Sequence, residues 1–239
     1  MKILRTVEDL RAWRRSASGK VGFVPTMGAL HEGHLSLVRM SRERCATTIA
    51  SIFVNPLQFG PNEDLARYPR PFERDRELLE KAGVDALFAP EAPVLYPPGA
   101  STYVIEESVS QPLCGTTRPG HFRGVTTVVL KLFNLVQPDV AFFGQKDAQQ
   151  CAVIERMVRD LDVPVEIVRG ETVREADGLA MSSRNAYLSP EDRERAPMIH
   201  KSLIAAAAAF AAGERDARKL EAAGRSLLEK DPAFRIQYW

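Results

Sequence analysis

Two histidines in a glycine-containing segment are the residues of this chain best suited to chemistry. The segment, residues 25–34, reads PTMGALHEGH and follows an apolar run at residues 21–24. This order is typical of a strand, a glycine turn and the start of a helix, where backbone N–H groups lack partners and bind anions. His31 and His34 are three residues apart, so their ring donors would point the same way on the first helical turn. The segment therefore predicts a phosphate site.

A zinc site is the main alternative for the histidine pair. A zinc-protease helix carries two histidines at i and i+4 with a distant third ligand, whereas these two lie at i and i+3. Cys45, Cys114 and Cys151 are too dispersed in the sequence to complete a zinc cluster. His121 and His200 are equally far away. The sequence therefore disfavours zinc, and we assign no metal ligand.

Two cations could balance the charge of a bound phosphate. Lys146 directly follows an apolar run, and Arg184 lies in the segment MSSRN beside Ser182 and Ser183, whose hydroxyls are further donors. Considered alone, each of these two side chains could equally be a solvent-exposed surface residue that binds no ligand. The chain contains neither the P-loop pattern G-x-x-x-x-G-K-S/T nor the dinucleotide pattern G-x-G-x-x-G, so neither of those nucleotide sites is expected.

These residues need a scaffold, and the hydrophobic pattern predicts one. Apolar runs rich in branched residues alternate with helical periodicity, which is typical of βαβ units with parallel strands and helices on both faces. Strands are predicted at residues 21–24, 47–54, 86–88, 102–105, 140–143 and 165–168, and helices at residues 34–44, 72–82, 125–136 and 148–161.

Three polar clusters directly follow predicted strands, at residues 26–28, 55–58 and 144–147. Ligands of parallel sheets bind beyond the carboxyl ends of the strands, so we expect the three clusters to share one pocket. Each cluster alone would also suit an ordinary turn, because turns use Gly, Asn, Pro and Asp. The coincidence of three is what favours a site.

The chain changes character after residue 168. Residues 171–189 are polar and contain glycine, and a helical stretch follows from Pro190 with mostly alanine at residues 205–212. We predict a Rossmann-like domain over residues 1–172 and a smaller C-terminal module over residues 173–239, with a mobile loop at residues 175–189. Residues 234–239 alternate between apolar and polar types, which is typical of the start of a strand.

Composition limits the classes of partner. The 239 residues, 45% hydrophobic and 26% charged, suit a globular protein with one large domain and a possible small appendage. A net charge of +1 gives no basic field, so small molecules rather than nucleic acid or membranes are the expected partners. The N-terminus lacks the apolar core of a signal peptide, and no run is long enough to span a membrane. Three dispersed cysteines favour a reducing cytoplasm and are expected to be buried small hydrophobes.

Five ordered blocks of the sequence resemble the pantothenate synthetase (pantoate–β-alanine ligase) family of the nucleotidylyltransferase superfamily. They are residues 25–34, 53–60, 118–125, 142–150 and 173–185. The resemblance implies an α/β fold, a Rossmann-like doubly wound parallel sheet with a smaller α+β lid domain at the C-terminus. The histidine block takes the place of the HIGH motif of class I aminoacyl-tRNA synthetases, and MSSRN that of their KMSKS loop. Members continue beyond the position of Trp239, so the resemblance implies an incomplete lid.

The resemblance also implies an activity and its ligands. Members are cytoplasmic homodimers that use ATP and Mg²⁺ to form pantoyl adenylate, whose AMP is displaced by the amine of β-alanine. Gln58 and Gln150 would bind pantoate, supported by Asn55 and Arg118. ATP would be bound by residues from three blocks: Met27, Gly28, Ala29, Leu30, His31, Glu32, Gly33, His34, Gly144, Gln145, Lys146, Asp147, Val173, Met181, Ser182, Ser183 and Arg184.

Elementary chemistry agrees with these assignments. Attack of a carboxylate on an α-phosphate builds negative charge on phosphate oxygens, which assigns the catalytic roles to four donors: His34, His31, Lys146 and Arg184. No enzyme nucleophile is needed, because the substrate carboxylate supplies the attacking oxygen. Asp75 could hold Mg²⁺ near the phosphates, or could be an exposed acid of a helix. Members differ at the position of Gln145, so no role rests on its side chain.

Two alternatives to a ligase stay open at this point. A simple nucleotidylyltransferase would stop at a nucleotide conjugate, and a binding module with an incomplete lid would bind ATP without turnover. Pantoate-dependent release of pyrophosphate from ATP, measured with and without β-alanine, separates the ligase from the first alternative. ATP binding without AMP formation would identify the second.

Overall fold

Short runs rich in Val, Ile, Phe and Ala form one parallel sheet of six strands in the computed structural model, which describes residues 1–239. The chain divides into two units, Met1–Glu171 and Thr172–Trp239, and the sheet belongs to the first. The strands are β1 (Lys2–Leu4), β2 (Val21–Thr26), β3 (Thr47–Ile52), β4 (Ala86–Phe88), β5 (Val140–Gly144) and β6 (Glu166–Gly170). The inner strands are buried on both faces, which explains why their sequences are continuous apolar runs.

Helices cover both faces of this sheet. Those of the first unit are α1 (Val7–Ser16), α2 (Glu32–Arg44), α3 (Phe72–Lys81), α4 (Ala92–Leu95), α5 (Cys114–Thr117), α6 (His121–Val136) and α7 (Ala148–Asp160). Side chains of α1, α6 and α7 build one core with Phe23 of β2, whereas α2 and α3 build a second core with Val24. Successive side chains of a strand point to opposite faces, so the two cores lie on opposite sides of the sheet. The predicted doubly wound α/β architecture is confirmed.

The order of the strands locates the ligand edge. The sheet runs β1-β4-β3-β2-β5-β6, and every pairing is parallel. The chain proceeds from β2 through β3 to β4 and then returns to form β5 on the other side of β2. The order therefore reverses between β2 and β5, and ligands of such sheets bind beyond the carboxyl ends of the strands at this point. The segment that contains His31 follows β2, and the segment that contains Lys146 follows β5.

The strand predicted at residues 102–105 is wrong. The segment joins no sheet, and the peptide groups of Val104 bind side chains of α6 instead. The Val104 N–H donates to Thr127 Oγ1 at 3.0 Å, and Thr126 Oγ1 donates to the Val104 carbonyl at 2.7 Å. Two threonine hydroxyls therefore satisfy the groups that a neighbouring strand would otherwise pair.

The second unit is mainly helical. Its helices are α8 (Pro190–Arg195), α9 (Met198–Ala211) and α10 (Ala217–Leu228), and its one β feature is an isolated antiparallel bridge between Arg174 and Ala180. The strand predicted at residues 234–239 is wrong, because no second strand lies beside it. Instead, the Trp239 indole N–H donates to Ser202 Oγ at 3.0 Å, and its ring lies against Gly224. None of the helices in either unit has the length and apolar character needed to cross a membrane.

Candidate active site

The two histidines cap α2 with their own rings. His31 is the N-cap residue, and its Nδ1 accepts a hydrogen bond from the Gly33 N–H at 3.2 Å. His34 Nδ1 accepts from the His31 N–H at 3.3 Å, and the two ring centroids are 4.1 Å apart. Because each Nδ1 accepts, this network assigns the proton of each neutral ring to Nε2. Each imidazole therefore offers one Nε2–H donor.

Both rings are held in their neutral form. Burial, with smaller contributions from the charges of His31 and Lys146, lowers the pKa of His34 to about 3. Burial also lowers the pKa of His31, and the Lys146 ammonium adds to this shift while Asp147 opposes it. Neutral imidazoles donate hydrogen bonds without carrying charge, so the cation that balances a phosphate must come from another residue.

Three amides of the turn between β2 and α2 are paired within the protein. The N–H groups of Ala29 and Leu30 donate to the two oxygens of Asp75 at 2.7 and 2.8 Å, and the Gly28 N–H donates to Thr26 Oγ1 at 3.1 Å. These three amides therefore differ from the prediction that the N–H groups of this turn are unpaired. Of the two alternatives predicted for Asp75, the exposed helix acid is wrong, because the residue is only 1% exposed.

Lys146 supplies a cation beside the imidazoles. It lies in the 3-10 helix Gln145–Asp147 after β5, and its Nζ is 3.1 Å from Asp147 Oδ1. Its positive charge contributes to the lowered pKa values of His31 and His34. The neighbouring Gln145 side chain is held separately, since its Oε1 accepts from Arg169 Nη1 at 3.2 Å.

Gly144 leaves open space next to Lys146. Its φ of −80° is available to any residue, and a Cβ built on it would meet no atom within 4 Å. Neither the backbone conformation nor the packing of the protein requires glycine there. The bare backbone therefore leaves room at the carboxyl end of β5 for a ligand to approach closely.

The side chain of Gln58 is oriented by a hydrogen-bond chain. Gln58 ends a 3-10 helix after β3, where its Oε1 accepts from Asn55 Nδ2 at 3.0 Å and its Nε2 lies 3.1 Å from Met27 Sδ. Asn55 Oδ1 in turn accepts from the Tyr96 hydroxyl at 2.9 Å. Asn55 Oδ1 also accepts from the Leu57 N–H at 3.3 Å, and Asn55 Nδ2 donates to the Gly124 carbonyl. Because a main-chain N–H can only donate and a carbonyl can only accept, these two partners fix the direction of the Asn55 amide and through it that of Gln58, and the Tyr96 hydroxyl adds to the network. The segments after β2 and β3 meet at this contact, as predicted.

The main chain of Gln58 is held from a different side. His121 Nδ1 lies 2.9 Å from the Gln58 carbonyl, and Arg118 Nη2 donates to the same carbonyl at 3.3 Å. Arg118 Nη1 is 3.2 Å from His121 Nε2, and the guanidinium also forms a two-bond ion pair with Glu63. This assigns the Nδ1–H tautomer to His121, because its Nε2 faces a permanent donor. Arg118 thus holds Gln58 through the main-chain carbonyl of Gln58, and its bonds do not involve the Gln58 carboxamide.

Close packing of α6 completes this part of the site. A Cβ at Gly124 would lie 2.3 Å from the Leu57 carbonyl oxygen, so no other residue allows α6 to approach the 3-10 helix this closely. The Gly124 carbonyl accepts a second hydrogen bond from Asn55 Nδ2, at 3.0 Å. The glycine therefore helps to place both Asn55 and Gln58.

Two adjacent glutamines on the first turn of α7 have different surroundings. Gln149 supports the preceding loop: its Oε1 accepts from the Cys114 N–H at 3.1 Å, and its Nε2 donates to the carbonyls of Val109 and Pro112. Gln150, the predicted pantoate ligand, is partly exposed. It follows Lys146 on the same segment after β5.

The remaining predicted ATP ligands belong to the second unit. Beside the bridge of Arg174 and Ala180, the Met181 N–H donates to the Val173 carbonyl at 3.0 Å, so the two residues are neighbours. Ser182 Oγ accepts from the Arg184 N–H at 3.3 Å and caps the 3-10 helix Ser183–Tyr187. The residues predicted as a loop thus form a hydrogen-bonded turn and a helical turn. Their mobility stays a prediction.

Three residues of the site were not predicted: Tyr96, Glu63 and His121. Tyr96 is 41 residues from Asn55, and no local pattern marks it. His121 lies in a block that carried the family resemblance, beside Arg118, and this position was the available signal. Glu63 lies three residues after the block at residues 53–60, and it carried no signal beyond its charge there.

Comparison with known proteins identifies the family. The family model for pantoate-beta-alanine ligase matches residues 2–239. The chain belongs to this family. Pantothenate synthetase 1 of Bradyrhizobium diazoefficiens is 58% identical over 241 residues, which cover 100% of this chain and 84% of that protein. A pantothenate synthetase of Chloroflexus aurantiacus is 57% identical over 238 residues with the same coverage.

Solved structures of pantoate-beta-alanine ligases share the fold. Pantothenate synthetase from Thermus thermophilus superimposes with a TM-score of 0.95 and 52% identity, over 100% of this chain and 86% of that one. The pantoate-beta-alanine ligase of Francisella tularensis, described as complexed with beta-gamma ATP and beta-alanine, has a TM-score of 0.82 and 36% identity, over 95% of this chain and 86% of that one. The resemblance that the five blocks indicated is therefore confirmed.

Proposed function

We propose that this chain is an ATP-dependent ligase that joins pantoate to β-alanine, giving pantothenate, AMP and pyrophosphate. The family match covers residues 2–239, and relatives that it covers by 84% are named pantothenate synthetase. The geometry that carries the proposal is the pair of neutral imidazoles beside Lys146, located where the strand order of the sheet reverses. The Francisella relative, complexed with an ATP species and β-alanine, supports the same ligands here.

The first step transfers an adenylyl group to pantoate. A carboxylate oxygen of pantoate attacks the α-phosphorus of ATP, the bond from this phosphorus to the β-phosphate oxygen breaks, and pyrophosphate leaves with the electron pair. Negative charge grows on the oxygens around phosphorus. We assign the Nε2–H donors of His34 and His31 and the ammonium of Lys146 to that charge. Because the rings are already oriented by their Nδ1 bonds, they donate without reorganisation.

Gln58 and Gln150 would bind the hydroxyl and carboxylate groups of pantoate. Carboxamides suit this substrate because each offers both a donor and an acceptor without a charge that would compete for phosphate. The hydrogen bonds from Asn55 and the main-chain contacts from Arg118 support this role, since they hold Gln58 in one orientation.

The second step forms the amide. The unprotonated amine of β-alanine attacks the carbonyl carbon of pantoyl adenylate, the bond to the phosphate oxygen breaks, and AMP leaves with the electron pair. The attacking nitrogen loses one proton to solvent as the amide forms. Exclusion of water protects the anhydride from hydrolysis. In the second unit, we propose that Val173 and Met181, Ser182, Ser183 and Arg184 contribute to nucleotide binding, with Arg184 paired to phosphate oxygens.

We propose that Mg²⁺ enters the site as a complex with ATP. No group of three His, Cys, Asp or Glu side chains forms a metal site, and both oxygens of Asp75 accept amide hydrogen bonds. Mg²⁺ readily takes phosphate oxygens and water as most of its ligands, so a cage made of protein side chains is not needed. We derive no step that depends on the ion.

We also propose that the enzyme is a cytoplasmic homodimer, as its family resemblance implies. The cysteines support the compartment, because Cys45, Cys114 and Cys151 are all free and two of them are buried. Sedimentation of the purified protein tests the dimer.

The activity is tested by following pyrophosphate and AMP separately. With pantoate, ATP and Mg²⁺ but no β-alanine, we expect pyrophosphate release without sustained AMP release. Addition of β-alanine should give AMP and pantothenate in equal amounts. Pyrophosphate release that ignores pantoate would contradict the proposal, and a nucleotide conjugate that β-alanine does not consume would favour a nucleotidylyltransferase.

A further inference from the structure

The turn that precedes the histidines has an unusual backbone. Gly28 and Ala29 have φ values of 84° and 51°, so two consecutive residues lie in the left-handed region, and one of them has a side chain. A non-glycine residue in this region costs about 1 kcal/mol or more and needs compensation from its surroundings. A Cβ at Gly28 would be 3.0 Å from Asp75 Oδ2 and 3.1 Å from Ile52 Cγ2, so the turn is also closely packed.

Asp75 supplies the compensation. Its Oδ2 accepts the Ala29 N–H at 2.7 Å, and its Oδ1 accepts the Leu30 N–H at 2.8 Å. Two amides on one carboxylate are charge-assisted bonds, about twice as strong as neutral ones. Asp75 is 1% exposed and lies in the first turn of α3, where the helix dipole favours a negative charge. The carboxylate is therefore committed to the turn.

The turn leads directly into the catalytic imidazoles. Leu30 is followed by His31, whose Nδ1 caps α2, and His34 Nδ1 accepts the His31 N–H. The direction of both Nε2–H donors therefore depends on the position and direction of the backbone at Leu30. The two hydrogen bonds from Ala29 and Leu30 to Asp75 hold both residues at that point.

We infer that Asp75 is a positioning residue for adenylate formation, which holds the turn so that His31 and His34 direct their Nε2–H donors at the α-phosphate. The inference rests on the proposed function of the site. Asp75 itself touches neither substrate nor metal in this role. A displacement of about 1 Å at a catalytic group can cost about 10²-fold in rate, so a small change in the turn should be visible in turnover.

Asp75→Asn tests the inference, with Asp139→Asn as the matched control. Asp139 accepts the Val21 N–H at 2.7 Å at the opposite end of β2, far from the carboxyl edge of the sheet. Asparagine keeps the shape of each side chain but replaces one acceptor oxygen by a donor. We expect Asp75→Asn to lower the rate of pantoate-dependent pyrophosphate release at least about tenfold, with little change in the KM for pantoate. Asp139→Asn, at a half-exposed residue that accepts one amide, should lose some stability in urea and keep the wild-type rate.

A spectroscopic measurement separates positioning from stability. The ¹⁵N shifts of the imidazoles report which ring nitrogen carries the proton, so Asp75→Asn should move the His31 and His34 signals and Asp139→Asn should not. If Asp75→Asn does not fold, Asp75→Glu replaces it, because the longer side chain keeps both acceptors but displaces them. The same loss of rate is then expected.

These experiments separate a failure of the positioning role of Asp75 from a failure of the proposed ligase function. Wild-type protein that releases no pantoate-dependent pyrophosphate would contradict the ligase, and the imidazole shifts would still test the effect of Asp75 on the rings. An active wild type together with Asp75→Asn or Asp75→Glu of unchanged rate and unchanged imidazole signals would overturn the positioning role alone.

Discussion

The Tyr96 hydroxyl donates to Asn55 Oδ1 across 41 residues of sequence, and Asn55 Nδ2 in turn donates to Gln58 Oε1. Tyr96 therefore adds to the main-chain hydrogen bonds that hold Asn55, and through Asn55 it supports the orientation of the Gln58 carboxamide. Burial raises the pKa of Tyr96, so its hydroxyl keeps its proton at neutral pH and remains a donor.

Tyr96→Phe should therefore weaken the binding of pantoate and leave the folded structure intact. One neutral hydrogen bond contributes about 1 kcal/mol, so we expect the KM for pantoate to rise about fivefold while the KM for ATP stays unchanged. Steady-state pyrophosphate release measures both constants. Tyr103→Phe is the control, because that ring is 42% exposed and stacks with Arg123 outside the Gln58 network. Equal effects of the two variants would contradict the proposed relay.

His34→Gln should reduce adenylate formation far more than it reduces binding. The imidazole donor is assigned to charge that appears only in the transition state, and removal of one such donor typically costs about 10²-fold in turnover. Rapid-quench measurement of pantoyl adenylate isolates this step from amide formation. A variant with near-normal adenylate formation and a raised KM for ATP would show instead that His34 only binds the nucleotide.

The stability of the protein should depend on pH through the same residue. The pKa of His34 falls from its usual 6.5 to about 3 in the folded state, so below pH 6.5 protons bind the unfolded chain preferentially. The contribution of His34 to stability is thus fully present above pH 6.5 and is lost progressively as the pH falls toward about 3. Urea unfolding at pH 7 and pH 5 should show a larger loss for wild type than for His34→Gln. The opposite ranking would contradict a buried neutral ring.

The sequence was sufficient for the fold because the relevant signals are local. Buried parallel strands give continuous apolar runs, and the five other predicted strands lie within two residues of the observed ends. The short β1 and α1 were missed, since three residues give too weak a strand signal and the charges of α1 obscured its apolar face. Residues 102–105 show the opposite error, because their pattern suits a strand but cannot reveal that Thr126 and Thr127 satisfy the peptide groups of Val104.

The site was predictable only as far as topology determines it. Convergence of the segments after β2 and β5 follows from the sheet, and this brought His31, His34 and Lys146 together. The partners that orient those residues come from distant parts of the chain: Asp75 is 45 residues from Leu30, and no spacing rule relates them. An acid on a predicted helix is normally exposed, so burial of Asp75 could be found only from the tertiary structure.

Gly144→Ala should separate stability from nucleotide binding. The position has an ordinary φ and open space where the methyl group would lie, so alanine restricts the unfolded chain and should leave stability unchanged or raise it by about 0.4–1 kcal/mol. If ATP approaches the bare backbone there, the methyl group should raise the KM for ATP about tenfold or more. Thermal unfolding and ATP titration test the two parts. A stable variant with a normal KM for ATP would exclude close contact at Gly144.

The assignment of pantoate to the two glutamines is tested by three alanine variants. Gln58→Ala and Gln150→Ala should each raise the KM for pantoate at least about tenfold and leave the KM for ATP within about twofold, because each removes a hydrogen-bonding group from one substrate only.

Gln149→Ala is the matched control from the same helical turn as Gln150. It removes three hydrogen bonds to the loop that contains Val109, Pro112 and Cys114, so it should lower the free energy of unfolding by about 1–3 kcal/mol. Its effect on the KM for pantoate should be smaller than that of Gln150→Ala. If ATP affinity falls in Gln58→Ala or Gln150→Ala while pantoate affinity holds, the two substrates have been assigned to the wrong sides of the site, and His31, His34 and Lys146 would then have to be reconsidered as ligands of pantoate.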